Sequence, residues 1–287
     1  MGRTTEGFIY GMLGVAVFSG SLPATRLAVA GFDPVFLTVA RASIAGLLAA
    51  GILLVCRQRL PRRADLASLL IVALGVVVGF PLLTALALQH LSAARAIVFI
   101  GMMPLVTALF AVLRAGERPH PAFWLFAGLG SLLVAAFALA QGEGGSSTGD
   151  LAMLLAVIAC GLGYAEGGHL SRRLGGWQVI SWALVISLPP MVLLTFLDWP
   201  DSFAQVGLSA WLGLVYVSLF SMLIGFFFWY RGLARGGIAA VGQLQLLQPF
   251  MGLTLAALIL DERVTWPMLA VSLAVIACVA AARRHAS

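Results

Sequence analysis

The sequence predicts an all-α polytopic membrane protein with ten transmembrane helices, arranged as two inverted five-helix repeats. Three observations predict this fold. Apolar residues make up 61% of the 287-residue chain and charged residues only 10%, whereas soluble domains carry about 25% charged residues. Apolar runs of about 20 residues, long enough to cross a bilayer as helix, recur along the whole chain. Matching positions in the two halves are separated by a constant 145 residues.

The ten apolar runs define the expected spans. Their connections are short, and continuous runs such as Leu69 to Val78 favour helices, because a barrel strand alternates lipid-facing and lumen-facing residues. The expected spans are 6–29, 34–56, 66–88, 92–113, 120–140, 150–171, 177–197, 207–231, 237–260 and 265–282.

The basic residues predict the orientation of these spans. All 17 of them are arginine. If the N-terminus lies in the cytoplasm, only Arg95 and Arg263 fall near outer helix ends, while Arg26 and Arg41 fall within spans and the other 13 lie inside. The positive-inside rule therefore predicts cytoplasmic N- and C-termini. The expected location is a bacterial inner membrane. The pI near 10.0 follows from this topology, so no nucleic-acid partner is expected.

Proline and charged residues are scarce in this chain, and several of them recur at matching positions in the two halves, which indicates an internal duplication. A linker at 141–149 divides five spans from five. Because five is odd, the second half enters the membrane in the opposite orientation, as in many secondary transporters. We therefore expect two repeats, residues 1–145 and 146–287. The positions that match are Pro104 with Pro249, Glu117 with Glu262 and Arg118 with Arg263.

Several motifs resemble the EamA-type branch of the drug/metabolite transporter superfamily. They are Phe36 to Leu47 with Arg41, Leu91-Ser-Ala-Ala, Met103-Pro-Leu, Gly116-Glu-Arg, Gln248-Pro-Phe and Asp261-Glu-Arg. One departure is Phe18, where many members carry Trp. The resemblance implies a bundle whose halves surround a central cavity and move small solutes by alternating access. Within the superfamily the chain looks most like the YddG-type exporters of aromatic amino acids.

Polar, aromatic and methionine side chains are the candidates for a substrate site. Gln245 and Gln248 share a helical face, and an amide can bind a carboxylate or an amino group without burying a charge. Aromatic rings and methionine suit an apolar substrate side chain. Packing between helices or against lipid is the alternative for each of them. We expect substrate contacts from Phe80, Phe99, Met103, Tyr164, Trp229, Gln245, Gln248 and Arg41.

Arg41 lies about 10 Å deep by helix rise, where it could anchor a substrate carboxylate or join helices through backbone carbonyls. Ionisable groups inside spans are functional candidates. Glu166, with His169 three residues further on, is therefore a candidate for proton coupling. The alternative for Glu166 is a salt bridge with Arg172 or Arg173.

Proline and glycine add expectations about helix shape. Pro104 and Pro249 are expected mid-span, where a missing N–H bends the helix as a hinge or as a static kink. Small residues four apart let helices approach closely. The pairs are Gly7/Gly11, Gly75/Gly79, Gly163/Gly167 and Gly232/Gly236.

The expected function is secondary transport, with export of small metabolites, and amino acids as the expected class. The sequence has no nucleotide-binding loop and no Ser-His, paired-Asp or His-Glu-x-x-His arrangement at suitable depth, so neither ATP-driven transport nor an enzyme is expected. The cysteines lack metal-ligand spacing, so no metal or cofactor is expected. A channel or a non-transporting interaction protein is the alternative. The expected partners are a small-molecule substrate and membrane lipid, and a monomer is compatible with this arrangement.

Overall fold

The computed structural model describes residues 2–88, 90, 99–140, 146–260 and 266–286. Each of the ten expected spans contains α-helix within these ranges, and no strand occurs in them. Asp261, Glu262 and Arg263, which belong to the repeat and to a motif, lie outside the described residues, as does Arg95, which was used for the orientation. The all-helical class is therefore confirmed for the part of the chain that the structure describes.

The helices of the first half, with their bounds, are α1 (Arg3–Ser19), α2 (Ser21–Val29), α3 (Pro34–Val55), α4 (Arg63–Val72), α5 (Phe80–Leu88), α6 (Met103–Ala115) and α7 (Pro121–Ala140). Those of the second half are α8 (Ser147–Leu174), α9 (Gly176–Leu197), α10 (Leu208–Tyr216), α11 (Gly225–Gly236), α12 (Ile238–Gly242), α13 (Gln248–Leu260) and α14 (Trp266–Arg284). π-helical turns at Ala73–Gly79 and Val217–Ile224 join α4 to α5 and α10 to α11, and a 3₁₀ turn at Gln243–Leu247 joins α12 to α13.

Six helical stretches in the described ranges are long and apolar enough to cross a membrane. Helices α6 and α7 contribute two shorter apolar segments. The chain is therefore a multi-pass membrane protein, while the count of ten spans and the inversion of the halves stay predictions. The six stretches are Arg3–Val29, Pro34–Val55, Arg63–Thr84, Ser147–Leu174, Gly176–Leu197 and Leu208–Gly236.

Helix ends follow local sequence signals. Asp33 caps α3, since its Oδ1 accepts hydrogen bonds from the backbone N–H groups of Val35 (2.7 Å) and Phe36 (3.3 Å). Gly116 ends α6 at φ 67°, and Gly237 separates α11 from α12 at φ 89°. Glycine adopts this left-handed region without the steric penalty that a side chain brings. These caps and turns fix where each helix enters the bundle.

The interruptions of the helices recur at the 145-residue offset. The π turn at residues 73–79 maps onto 218–224, within the second π turn. The break before α6 maps onto the 3₁₀ turn before α13. A π or 3₁₀ turn inside a helix interrupts the regular α-helical hydrogen bonds. Such turns are frequent at functional sites. Helix interruptions thus fall at matching positions in the third and fourth expected spans of each half.

Pro104 and Pro249 begin helices, which differs from the expected bend within one. Each is the second residue of its helix, α6 or α13. Backbone N–H groups in the first turn of a helix have no intrahelical acceptor. Proline, which lacks this N–H, therefore fits there without the loss of a hydrogen bond. Each proline therefore restarts a helix after an interruption, and the break precedes the proline.

The paired glycines interlock as expected. A Cβ atom on Gly232 of α11 would lie 2.6 Å from the backbone N of Gly11 in α1. In a second contact, a Cβ on Gly75 would lie 3.0 Å from the Cα of Gly163 in α8. Neither approach leaves room for a side chain, because real Cβ contacts are longer. Close backbone packing thus joins α1 to α11 and the first π turn to α8.

Candidate functional site

Four aromatic rings from α1, α8 and α11 pack together inside the bundle. The Trp229 ring centroid lies 5.4 Å from that of Tyr164 and 6.2 Å from that of Phe18. Phe226 lies 5.1 Å from Phe18 and 6.0 Å from Tyr164. The edge-on arrangements are those that aromatic quadrupoles favour. We call Phe18, Tyr164, Phe226 and Trp229 the aromatic cluster.

Glycine and buried hydrogen bonding position this cluster. A Cβ on Gly14 would meet the Cα of Trp229 at 3.1 Å, so glycine lets α1 pack directly on the indole-bearing turn of α11. Behind the cluster, the buried Tyr230 hydroxyl donates to the carbonyl of Gly163 at 3.2 Å and ties α11 to α8. The rings are therefore held by three helices and are not free to rearrange singly.

A hydrogen-bond donor and an acceptor that both lack a partner, here called open, lie beside Tyr164. The side chain of Gln245, on the 3₁₀ turn, lies beside the Tyr164 hydroxyl. Within the described residues, Trp229 Nε1 and Gln245 Oε1 are buried and have no partner. A buried polar group without a partner costs about 1–3 kcal/mol, so such atoms are expected to meet water or a solute. The structure brings Tyr164, Trp229 and Gln245 together, and their contact with a substrate stays a prediction.

Gln243 adds a second open amide on the same 3₁₀ turn. Its side chain is fully buried, and both its Oε1 and its Nε2 lack a partner in the described part of the chain. From the sequence this residue stays unassigned, although the run of three glutamines in an apolar span is itself a signal. Phe18 and Phe226 also join the cluster without having been expected there. Nothing in their spacing separates them from other apolar positions.

Gln248 makes contacts that fit the interhelical alternative. Its Nε2 donates to the carbonyl of Phe18 at 3.5 Å, and Ser19 Oγ donates to the Gln248 carbonyl at 3.4 Å. Both contacts join the start of α13 to the end of α1. Gln248 therefore closes a helix junction beside the aromatic cluster.

Three other expected substrate contacts, Phe80, Phe99 and Met103, belong to or pack against the same hydrophobic core as the aromatic cluster. Phe80 and Phe99 pack against the main core and Met103 is buried in it, but no described ring contact joins either phenylalanine to the aromatic cluster. Arg41 lies on α3, which packs against α9 and the second π turn. Its Nε is buried without a described partner. The geometry thus leaves Arg41 as a separate open donor.

Glu166 forms an ion pair with a residue that was not expected. Its Oε2 accepts from Arg114 Nε at 2.8 Å, and the glutamate side chain is only 3% exposed. The expected partners are wrong, because Arg172 pairs with Glu117 and Arg173 pairs with Asp65. Packing of α6 along α8 brings the last turn of α6 against Glu166. His169, three residues further on, is exposed.

Glu117 joins three segments at the same end of the bundle. Its carboxylate accepts from the backbone N–H groups of Ile238 (2.8 Å) and Ala239 (2.9 Å), and it also pairs with Arg172. A carboxylate at a helix N-terminus satisfies unpaired N–H groups and complements the helix dipole. The loop after α6, the end of α8 and the start of α12 are therefore tied together.

Comparison with known proteins identifies the family. The EamA-like transporter family matches residues 5–139 and again 147–283. The "Uncharacterized transporter YdeK" of Bacillus subtilis is 68% identical over 286 residues, covering 100% of both chains. The "Probable terminal-alkyne amino-acid exporter" of Streptantibioticus cattleyicolor is 27% identical over 261 residues, covering 88% of this chain and 84% of that one. A solved crystal structure shares the fold, with a TM-score of 0.79 and 22% identity over 98% of both chains. The chain therefore belongs to the EamA-like transporter family.

Proposed function

We propose that this protein is a secondary transporter that exports amino acids with apolar or aromatic side chains across the bacterial inner membrane. Membership of a transporter family supports transport, and the name of the Streptantibioticus relative supports an amino-acid substrate and its export. The arginine distribution supports cytoplasmic N- and C-termini. Alternating access would run between the halves 1–145 and 146–287, each of which the family matches once.

The observation that carries this proposal is the pair of open polar atoms beside the aromatic cluster. Trp229 Nε1 is a donor and suits a carboxylate, whereas Gln245 Oε1 is an acceptor and suits an ammonium group. The rings around them suit an apolar or aromatic side chain. A free amino acid presents all three features, so it would satisfy atoms that otherwise stay unpaired in a low-dielectric interior.

The helix interruptions and the Glu117 contacts suggest how access alternates. The breaks before Pro104 and Pro249 are the proposed hinges, because interrupted helices have backbone that can change direction. Glu117 holds α12 to the ends of α6 and α8, at the end of the bundle that the arginines place in the cytoplasm. Opening toward the cytoplasm would release these contacts.

Glu166 is the proposed proton-coupling group. A proton on its carboxylate would remove the charge that Arg114 pairs with, and so would loosen α6 from α8. Exposed His169 lies three residues further on, where it can pass a proton to and from water. Transport by the wild type is then expected to depend on an imposed pH gradient, and Glu166→Gln is expected to lose that dependence.

Uptake into proteoliposomes tests the proposal, using a panel of labelled amino acids with and without a pH gradient. Trp229→Phe replaces the indole with a smaller aromatic ring that has no N–H donor, so we expect about a tenfold loss of rate, equal to about 1.4 kcal/mol. The unfolding midpoint is also expected to fall, because Trp229 is fully buried and the smaller phenyl ring leaves a cavity, so rates are compared per amount of folded protein. Trp211→Phe is the control, since Trp211 packs with Phe32 and Phe203 in a separate cluster. Equal rates for both variants, or no amino-acid uptake by the wild type, would contradict the proposal.

A further inference from the structure

A cavity of about 1040 Å³ opens where α1 begins, between the ends of α8 and α11 and the start of α9. It lies away from the aromatic cluster, and we call it the basic groove. None of the open polar atoms of the proposed substrate site lines it. The charged side chains that line it are Arg3, Arg172, Arg173, Arg231, Arg235 and Glu6.

The basic groove keeps an excess of positive charge after its ion pairs are counted. Glu6 pairs with both Arg231 (3.4 Å) and Arg235. Arg172 pairs with Glu117, and Arg173 pairs with Asp65. The five arginines that line the groove are therefore matched by three carboxylates. Arg3 is exposed, and no partner for it occurs among the described residues. An anion would therefore find uncompensated cations here.

The N-terminus of α9 opens into the basic groove. Gly175 is its N-cap and no side chain caps the helix, which runs for 22 residues. The N-cap and the first three helical residues, Gly175 to Gln178, all line the groove. Unpaired N–H groups and the helix dipole make such an N-terminus a site for phosphate or carboxylate.

A buried hydroxyl supplies independent support for a ligand. Ser171, in the last turn of α8, is only 6% exposed and lines the basic groove. Its Oγ has no hydrogen-bond partner in the part of the chain that the structure describes. Ser171 adjoins the groove, and a change of its side-chain rotamer would bring the hydroxyl to a phosphate oxygen lying between the α9 N-terminus and the arginines.

One wall of the basic groove is aromatic and continues along α11 and the second π turn. Tyr10 stacks on Phe228 at 6.3 Å between centroids, and Arg231 lies over the Tyr10 ring at 4.3 Å. Phe228, Ile224 and Phe220 follow at intervals of four residues and are all at least partly exposed. An apolar chain can lie along this stripe while a charged group stays at the arginine rim. The groove therefore suits an amphiphile better than a free anion.

We propose that the basic groove binds the phosphodiester headgroup of an anionic phospholipid from the cytoplasmic leaflet, with an acyl chain along Phe228, Ile224 and Phe220. Basic pockets between transmembrane helices on the cytoplasmic side are suited to anionic headgroups. The site is independent of the substrate that the protein carries, and it relies only on the membrane orientation proposed above.

Native mass spectrometry of delipidated protein tests this site, with phosphatidylglycerol compared against phosphatidylcholine. We expect the wild type to retain phosphatidylglycerol in preference. Arg3→Gln with Arg235→Gln removes two charges and leaves Arg231 to pair with Glu6, and it is expected to weaken retention about tenfold. The matched control is Arg57→Gln with Arg59→Gln, which removes two exposed arginines outside the groove and is expected to retain lipid like the wild type.

Ser171→Ala is a second, smaller change that leaves the charges in place. It is expected to weaken phosphatidylglycerol retention severalfold without lowering thermal stability, because the hydroxyl has no partner to lose. Equal retention of the two lipids by the wild type would overturn the proposal, as would equal losses in the groove and control pairs. Displacement of the lipid by millimolar glycerol phosphate would overturn the lipid assignment in favour of a free phosphate ester. Because retention is measured without transport, failure here is distinct from failure of the proposed function.

Discussion

Replacing Gly232 with alanine tests the close packing on which the site depends. Gly232 lies on α11, one turn beyond Trp229, and faces α1. A Cβ there would lie 2.6 Å from the N and 2.8 Å from the Cα of Gly11, and 3.0 Å from the carbonyl O of Gly7. All three atoms belong to the backbone, so no side chain can rotate away.

The expected cost follows from these distances. Backbone atoms of α1 have to move by roughly 1 Å before the contacts become ordinary, and overpacking of this kind typically costs about 1–3 kcal/mol. Alanine has a higher helix propensity than glycine by about 1 kcal/mol, which offsets part of this cost. We therefore expect Gly232→Ala to destabilise the protein by up to about 2 kcal/mol and to displace Trp229.

Thermal unfolding of detergent-solubilised protein, followed by size-exclusion chromatography, measures the change. The matched control is Gly128→Ala on α7, where an added Cβ would meet nothing within 4 Å. The control gains helix propensity without a clash, so its midpoint is expected to equal or exceed that of the wild type. If Gly232→Ala unfolds at the same temperature as Gly128→Ala, α1 and α11 are not packed as described.

Three further changes probe the ties around the site. Glu117→Ala removes the cap of α12 and is expected to cost about 1–2 kcal/mol, measured as a lower unfolding midpoint. Arg114→Gln leaves the buried carboxylate of Glu166 without its cation, so it is expected to destabilise the protein more than Glu166→Gln does. The expected difference is only about 1–2 kcal/mol, because Arg114 is half exposed. Equal unfolding midpoints for the two variants would refute the ion pair. Tyr230→Phe removes the hydroxyl that donates to the Gly163 carbonyl and is expected to cost about 1 kcal/mol, whereas an unchanged midpoint would show that this bond contributes nothing.

The sequence predicts well those features that depend on local pattern. Helical spans follow from runs of apolar residues, and close approach of helices follows from small residues four apart, although the spacing does not say that Gly11 meets Gly232. Tyr164, Trp229 and Gln245 are also found together, because polar and aromatic residues in otherwise aliphatic spans are conspicuous. These signals need no knowledge of how the helices are arranged around one another.

The sequence could not predict features that depend on how each helix is rotated about its axis and on which helices pack against it. The partner of Glu166 is Arg114, which is 52 residues away and becomes close only when α6 packs along α8. The chain neighbours Arg172 and Arg173 point to other carboxylates. Phe18 looks like any apolar residue until Gly14 brings α1 against Trp229.

Counterflow in proteoliposomes tests the central claim most directly. Vesicles loaded with unlabelled phenylalanine and diluted into labelled phenylalanine need no ion gradient, so the result depends only on substrate binding and alternating access. We expect the wild type to accumulate label transiently and Gln245→Leu, which removes the open acceptor, to accumulate at most about a tenth as much. No accumulation by folded wild-type protein, with phenylalanine or any other amino acid, would contradict the claim that this chain exchanges amino acids across the membrane.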